Sequence, residues 1–277
     1  MGAAGCYCGH RYLHHGSRIE PDAQPAARYS RPVAVRYRGW PMTSGATPRV
    51  DAVLFDLFGT LAGFNFPEYD ACAYAIANWL DAPAAAFASE LEVRYHDLET
   101  GVLGLPAYLS EAAQRAGARH ADPYRLGLAL DRWRAFQDTQ LRPWPDAVHG
   151  LGHVRDAGLP VALVSNAPPL VHELWPGSPL GSHFKVAIYS NVVGARKPDL
   201  AMYRHAAAGL GIAPDRCLFI GDGSSGELAG AVAAGMHAVQ IRRPADPPEN
   251  DARFGREIWH GPRIGSLHLL PRLLGGR

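Results

Sequence analysis

Lysine is almost missing from this sequence, in which Lys185 and Lys197 are the only two among 277 residues. Their rarity makes each of them worth examining. Acidic and basic residues balance, 26 against 27, so no positive excess indicates nucleic-acid binding. No apolar run approaches the roughly 18 residues that a membrane span requires, and we expect no membrane insertion. Cysteine is also sparse and scattered, which predicts reduced thiols in a cytoplasmic protein; the four positions are Cys6, Cys8, Cys72 and Cys217.

Residues 1–49 contain seven arginines but only two acidic residues, Glu20 and Asp22, and no sustained hydrophobic period. Such a segment buries too little apolar surface to offset its ordering entropy, so we predict a disordered extension. The extension could also reflect a true start at Met42. Two other interpretations are a transit peptide and a metal site, although the spacing of the candidate ligands fits no standard zinc pattern; they are Cys6, Cys8, His10, His14 and His15.

From residue 50 onward, apolar runs typical of buried strands alternate with segments of helical spacing. Residues 66–135 have helical spacing throughout, and Ser224 is placed to cap the helix after the fourth strand. Strands joined by helices predict a parallel sheet covered on both faces, with a helical module inserted after the first strand. The predicted strands, with a candidate sixth at the end, are Val53–Phe55, 159–166, 184–190, 216–222, 237–243 and 256–261.

Short polar signals follow four of these strands. Any one of them alone is a common helix cap or turn residue. However, ligands of open α/β sheets bind at the edge formed by the carboxyl ends of the strands, and all four signals fall there. We therefore expect these side chains to lie together: Asp56, the pair Ser165 and Asn166, Lys197, and Asp222.

The residue types at this edge suit transfer of an anionic group. A carboxylate such as Asp56 can attack phosphorus or an activated carbon. Asp56 and Asp222 on neighbouring strand ends would repel each other unless a cation lay between them, and Mg²⁺ prefers such oxygen ligands. Ser165, Asn166 and Lys197 supply hydrogen-bond donors and one positive charge for a phosphoryl group. Lys197 would also restrain the charge on Asp56.

The motifs FDLFGTL, LVSN, GARKPDLAMY and FIGDGSSGELAGAVAAG, in this order, resemble the four motifs of the haloacid dehalogenase-like hydrolase superfamily. The resemblance covers residues 51–275. It implies an α/β fold with a Rossmann-like parallel sheet core, residues 50–62 and 144–277, and an inserted all-helical cap domain, residues 63–143. It also implies a Mg²⁺-dependent phosphatase that acts on a small phosphorylated metabolite through an aspartyl-phosphate.

The resemblance assigns roles to individual residues. Asp56 would be the nucleophile, and Asp56, the Phe58 carbonyl and Asp222 would hold the metal. Ser165 and Lys197 would bind the transferred group. Glu227 falls where many members place a further acid near the metal. The residues expected to bind substrate are Gly59, Thr60, Ser165, Asn166 and Lys197.

Phe58 departs from the family pattern. Phosphatases of this family carry an aspartate there, which protonates the leaving group and is typically worth about 10²–10⁴-fold in rate. An aromatic residue at this position resembles the haloacid dehalogenases, which work without metal, but the GDG of the fourth motif is phosphatase-like. A phosphonate-cleaving enzyme would need a lysine from the cap, which contains none. The alternatives to a phosphatase are therefore a 2-haloacid dehalogenase and a catalytically weak binding or regulatory protein, and the sequence indicates no oligomeric state.

Overall fold

The computed structural model describes residues 33–34, 49–118, 122–244 and 255–274. Most of the segment predicted to be a disordered extension lies outside the described residues. Val33–Ala34 (β1) pairs antiparallel with Arg49–Val50 (β2), in a two-stranded sheet separate from the main one. Within the described residues, no helix combines the length and the apolar character needed to cross a membrane.

A six-stranded sheet forms the centre of the fold, and every neighbouring pair in it is parallel. The spatial order is β5-β4-β3-β6-β7-β8. Three of the central strands are buried along their whole length, as expected for a sheet covered on both faces. The strands are Ala52–Phe55 (β3), Val161–Ser165 (β4), Val186–Tyr189 (β5), Cys217–Gly221 (β6), His237–Ile241 (β7) and Arg263–Ile264 (β8).

The first five predicted strands are confirmed, but the position of the sixth is wrong. The predicted segment 256–261 is not a strand of the sheet, and β8 forms at residues 263–264 instead. An edge strand of two residues is too short to produce an alternating pattern in the sequence. The segment 256–261 instead packs against the loop after β6, where Arg256 contacts Asp222.

Two hydrophobic clusters cover the two faces of the sheet. Residues one apart on a strand point to opposite faces, so Val53 and Phe55 pack into one cluster and Ala52 and Leu54 into the other. Helix α5 covers the first face, and helices α8 and α9 cover the second. The helices of this layer are Pro145–Asp156 (α5), Pro169–Leu174 (α6), Ser190–Val193 (α7), Leu200–Leu210 (α8), Glu227–Ala233 (α9) and Leu270–Leu273 (α10), with 3₁₀ turns at Trp175–Gly177, Gly181–His183, Pro214–Arg216 and Leu267–Leu269.

Four helices lie between β3 and β4 and have a hydrophobic cluster of their own, to which α6 contributes Leu170. The Asn65 side chain caps the first helix by accepting a hydrogen bond from the Glu68 amide at 3.1 Å. The fold is thus a Rossmann-like α/β core with an inserted all-helical cap, as predicted, while the residue bounds of the two domains stay a prediction. The cap helices are Phe66–Trp79 (α1), Ala84–Glu99 (α2), Leu105–Arg115 (α3) and Pro123–Gln140 (α4).

The predicted cap of α9 by Ser224 is wrong. Gly226, with φ +67°, precedes the helix and provides no side-chain cap. Glu257, from the segment after β7, takes this role because its carboxylate accepts a hydrogen bond from the Leu228 amide at 2.7 Å. A residue distant in sequence therefore replaces the local cap.

Candidate active site

Asp56 and Asp222 meet at the carboxyl edge of the sheet. Each follows the last residue of its strand, and β3 and β6 are neighbours with Phe55 opposite Ile220. The Asp56 amide donates to the Ile220 carbonyl at 3.0 Å, which fixes the end of β3 against β6. Both aspartates are almost fully buried, with 4% and 1% of their surface exposed.

Lys197 reaches this edge from the loop before α8. Its Nζ lies 2.5 Å from Asp56 Oδ1 and 2.5 Å from Glu227 Oε2. The loop is held in place by Asn166, whose Oδ1 accepts a hydrogen bond from the Lys197 amide at 2.8 Å. The lysine singled out by its rarity therefore bridges two buried carboxylates.

Glu227, predicted only as a further acid near the metal, lies at the centre of this site and contacts Lys197 directly. It is the first residue of α9 and is fully buried. Its Oε1 accepts a hydrogen bond from the Gly223 amide at 2.9 Å. A Cβ on Gly221 would overlap this oxygen, so glycine at that position makes room for the carboxylate.

The buried charges shift each other's pKa values. Burial raises the pKa of Asp56 against the opposing attraction of Lys197. Burial also raises the pKa of Glu227 well above its usual value, and the negative charge of Asp56 adds to this effect. For Lys197, burial lowers the pKa, but the attraction of Asp56 and Glu227 outweighs it and the net shift is upward. The attraction of one ammonium group therefore does not outweigh the cost of burying the two carboxylates.

The same carboxylates fit a divalent cation. One oxygen from each of Asp56, Asp222 and Glu227 lies within 4.8 Å of the others. Asp56 Oδ2 is buried and has no hydrogen-bond partner among the described residues. Hard oxygen donors with excess negative charge are the ligand set that Mg²⁺ prefers.

Several predicted residues take part less directly. Ser165 is fully buried at the end of β4, and its Oγ has no hydrogen-bond partner among the described residues. The same holds for the Thr60 hydroxyl. A Cβ on Gly59, which has φ +84°, would overlap Asp222 Oδ2. The roles predicted for these residues and for the Phe58 carbonyl stay predictions.

A cavity of about 460 Å³ opens between this edge and the cap. On the sheet side, its wall contains polar residues of the predicted motifs, including Asp56, Asn166 and Lys197. On the opposite side it is largely aromatic. The aromatic and acidic lining residues are Phe58, Phe64, Phe66, Tyr69, Tyr95, Glu92 and Glu99.

Phe58 belongs to this aromatic wall. Its ring packs edge-on against Phe64, with centroids 5.6 Å apart, and Phe64 in turn contacts Tyr69 at 5.9 Å. Trp133 contributes to the interior of the cap instead and is 2% exposed. The position where the resemblance predicted an acid thus supplies apolar contact surface.

Arg196 connects the cap to the core across the cavity. Its Nη1 lies 3.3 Å from Glu99 Oε2 in α2, and its Nη2 donates to Ser225 Oγ at 3.2 Å. Burial raises the pKa of Glu99, although the positive charge of Arg196 acts in the opposite direction. This ion pair was not predicted, because helical spacing does not show which helix faces the sheet edge.

Two further arginines support the site and were missed. Arg243 donates to the Gly59 carbonyl at 2.9 Å and to the Thr60 carbonyl at 2.7 Å, and it pairs with Asp146 at 3.0 Å. Arg256 Nε donates to Asp222 Oδ2 at 2.7 Å. Neither lies in a recognisable motif, and the sequence contains no signal that would have singled them out.

A family model described as haloacid dehalogenase-like hydrolase matches residues 50–235. The chain belongs to this family. It is accordingly a hydrolase, and the resemblance predicted from the four motifs is confirmed.

Known relatives of this hydrolase include both phosphatases and dehalogenases. The phosphoserine phosphatase of Thermus thermophilus is 36% identical over 157 residues, which cover 54% of this chain and 61% of that enzyme. The chain thus spans less than two thirds of the Thermus enzyme. The (S)-2-haloacid dehalogenase of Pseudomonas putida is 28% identical over 200 residues, covering 70% and 86% of the two chains. A solved HAD phosphatase from Thermococcus onnurineus shares the fold with a TM-score of 0.59 at 22% identity, covering 82% of this chain and 99% of that one.

Proposed function

We propose that this hydrolase is a cytoplasmic, Mg²⁺-dependent phosphatase that acts on a small phosphorylated metabolite. The observation that carries the proposal is the state of Asp56. One of its oxygens is held by Lys197, while the other is buried and has no hydrogen-bond partner in the described part of the chain, and the residue lines the cavity. A carboxylate oriented in this way can attack a phosphorus atom placed above it.

In the proposed reaction, Asp56 Oδ2 forms a bond to phosphorus and the bond to the leaving oxygen breaks. Water then attacks the phosphorus, the bond between phosphorus and Asp56 Oδ2 breaks, and the phosphate leaves with both protons of the water, which regenerates the carboxylate. Lys197 and the Ser165 hydroxyl would bind the phosphoryl oxygens, and Asn166 keeps Lys197 in position. Gly59 and Thr60 are proposed to border the same group.

The proposed metal ligands are Asp56, the Phe58 carbonyl and Asp222, with Glu227 beside them. Bound Mg²⁺ would supply positive charge that offsets the repulsion between Asp56 and a phosphate dianion. Phe58 is compatible with this arrangement because only its main chain would contribute. The proposal of a metal site is supported by these oxygen donors and does not require an acidic side chain at position 58.

Because position 58 is a phenylalanine rather than an acid, it cannot protonate the leaving group, and this restricts the substrates that we expect. An alkoxide leaving group needs a proton, whereas a phenolate or carboxylate leaves more readily without one. The aromatic wall around Phe58 also favours a flat, apolar leaving group. We therefore expect aryl and acyl phosphates to be better substrates than alkyl phosphates.

A panel of aryl and alkyl phosphates tests this proposal. With Mg²⁺, aryl phosphates should be hydrolysed about 10²–10⁴-fold faster than alkyl phosphates, the usual contribution of a general acid. EDTA should abolish both reactions. Equal rates for the two classes would contradict the role given to Phe58, and full activity in EDTA would contradict the metal requirement.

A second candidate is a 2-haloacid dehalogenase. It is favoured by the aromatic packing of Phe58 and by the similarity to the Pseudomonas putida enzyme, since a halide leaves without a proton. Chloride release from a 2-chloroacid in the presence of EDTA would establish this activity. Hydrolysis that depends on Mg²⁺ would exclude it.

A further inference from the structure

We propose that Arg256 is a built-in competitor of the divalent cation, and that its guanidinium must leave Asp222 before the metal can bind there. The inference rests on the magnesium site of the proposed function. It concerns a residue outside the four motifs, in the segment that was predicted to be a sixth strand.

The contact involves one of the two carboxylate oxygens of Asp222, a proposed metal ligand. Arg256 Nε lies 2.7 Å from Asp222 Oδ2, and their side chains are 4% and 1% exposed. The other oxygen, Oδ1, accepts a hydrogen bond from the Ser224 amide at 2.9 Å. Both oxygens of Asp222 are therefore engaged, whereas one oxygen of Asp56 has no hydrogen-bond partner within residues 49–118, 122–244 and 255–274.

Asp222 has little freedom to serve both cations. The main chain of Gly59 lies so close to Oδ2 that a Cβ there would overlap it. The Asp222 carbonyl accepts a hydrogen bond from Gln240 Nε2 at 2.9 Å, which fixes the backbone as well. In this buried position, repulsion between a guanidinium and Mg²⁺ on one carboxylate is poorly screened, so binding of one disfavours the other.

The segment that carries Arg256 is attached to the loop after β6 by several contacts. Arg256 and Ser224 form an isolated antiparallel β-bridge, and the Glu257 amide donates a hydrogen bond to the Gly223 carbonyl at 2.8 Å. The Glu257 carboxylate holds the first turn of α9 through the Leu228 amide. These contacts position the Arg256 guanidinium at Asp222. Hydrogen exchange in the same segment can therefore report release of the guanidinium.

The first test measures metal affinity rather than activity. The full chain is titrated with Mn²⁺, and the free ion is measured by electron paramagnetic resonance. Arg256→Gln should bind Mn²⁺ about 5- to 150-fold more tightly than wild type, the usual range for coupling between two binding events. Arg256→Lys, which retains the charge, should stay closer to wild type, and Arg204→Gln, an exposed arginine on α8, should match it.

An affinity of Arg256→Gln within twofold of wild type, or weaker, would overturn the proposal. If neither wild type nor Arg256→Gln binds Mn²⁺, the proposal is also overturned. A residue with a merely structural role would lower the stability of the variant without increasing its affinity for the metal.

Hydrogen exchange on the wild-type protein provides a second test that does not depend on the variant folding. Because coupling is reciprocal, saturating Mg²⁺ should accelerate exchange of the Glu257 amide. Unchanged or slower exchange would overturn the proposal. If Arg256→Gln binds Mn²⁺ more tightly but no phosphate ester is hydrolysed, the inference about Arg256 stands and the phosphatase proposal fails. If phosphate esters are hydrolysed with Mg²⁺ but Arg256→Gln binds Mn²⁺ no more tightly than wild type, the phosphatase proposal stands and the inference fails.

Discussion

The two walls of the cavity differ in how they are built. The core wall concentrates charge: Lys197 bridges Asp56 and Glu227 with two contacts of 2.5 Å. The cap wall consists mainly of aromatic rings 5–6 Å apart, with one ion pair between Arg196 and Glu99. Buried charges tolerate almost no displacement, whereas aromatic packing adapts to changes in shape. We therefore expect substitutions on the core wall to have much larger effects than substitutions on the cap wall.

Removal of the charge on Lys197 should have the largest effect. Lys197→Met leaves Asp56 and Glu227 buried without their cation and should cost about 3–5 kcal/mol of unfolding free energy. Urea unfolding of the purified variant measures this loss.

The second lysine is a matched control for this experiment. Lys185 is exposed before β5, so Lys185→Met should change the unfolding free energy by less than about 0.5 kcal/mol. Similar losses for the two variants would contradict the distinction between the buried cluster and the surface.

Phe58 belongs to the aromatic wall although it follows strand β3 of the core, and its replacement by aspartate should convert one type of surface into the other. Phe58→Asp should raise the rate on alkyl phosphates relative to aryl phosphates by about a hundredfold, the lower end of the usual general-acid contribution. The ratio of kcat/KM values for the two substrate classes measures the change, with Phe58→Asn as the control for lost packing. An unchanged ratio would show that the missing acid does not limit the reaction.

Asp146 supports the core wall from behind, through the Arg243 that holds the Gly59 and Thr60 carbonyls. Burial alone would raise the pKa of Asp146, but hydrogen bonds from Ser266, Leu267 and Arg243 outweigh this effect and the net shift of the pKa is downward. Asp146→Asn should therefore cost about 1–3 kcal/mol at pH 7.

The pH dependence follows from the sign of this shift. A carboxyl with a lowered pKa in the folded state stabilises the fold above its unfolded pKa and loses that contribution as the pH falls. The difference between wild type and Asp146→Asn should shrink below about pH 3.8. Asp156→Asn, at an exposed residue, is the control. A difference that stays constant from pH 7 to pH 3 would contradict the assignment.

Substitutions on the cap wall should have the smallest effect. Phe64→Leu keeps an apolar side chain at the cavity and should cost less than about 1.5 kcal/mol of stability. We expect KM for aryl phosphates to rise by up to about tenfold while kcat stays close to wild type. A larger fall in kcat than in the affinity for substrate would place Phe64 in the chemical step.

The same difference explains what the sequence could predict. Asp56, Lys197 and Asp222 were found because parallel strands end at one edge, so residues far apart in sequence could be placed together from the strand pattern alone. Gly59 and Gly221 are required by close contacts with Asp222 and Glu227, but those contacts depend on side-chain positions that no spacing rule provides.

The cap wall and the supporting arginines could not be predicted in this way. Phe64 and Tyr69 line the cavity, whereas Trp133 packs inside the cap, and the sequence pattern does not distinguish these aromatic residues. Arg243 and Arg256 lie in segments predicted to be strands, but their roles depend on contacts with residues distant in sequence, which a strand pattern does not reveal. Contacts of this kind are determined by tertiary packing rather than by local pattern.

The most direct test of the proposed mechanism asks whether Asp56 receives the phosphoryl group. Wild type and Asp56→Asn are mixed with 4-nitrophenyl phosphate and Mg²⁺, quenched in acid and analysed by peptide mass spectrometry alongside the rate of hydrolysis. We expect a phosphoryl group on the wild-type peptide that contains Asp56, and for Asp56→Asn no label and a rate lower by about 10⁴-fold or more. Hydrolysis by Asp56→Asn at the wild-type rate, or a phosphoryl group on a different residue, would contradict it.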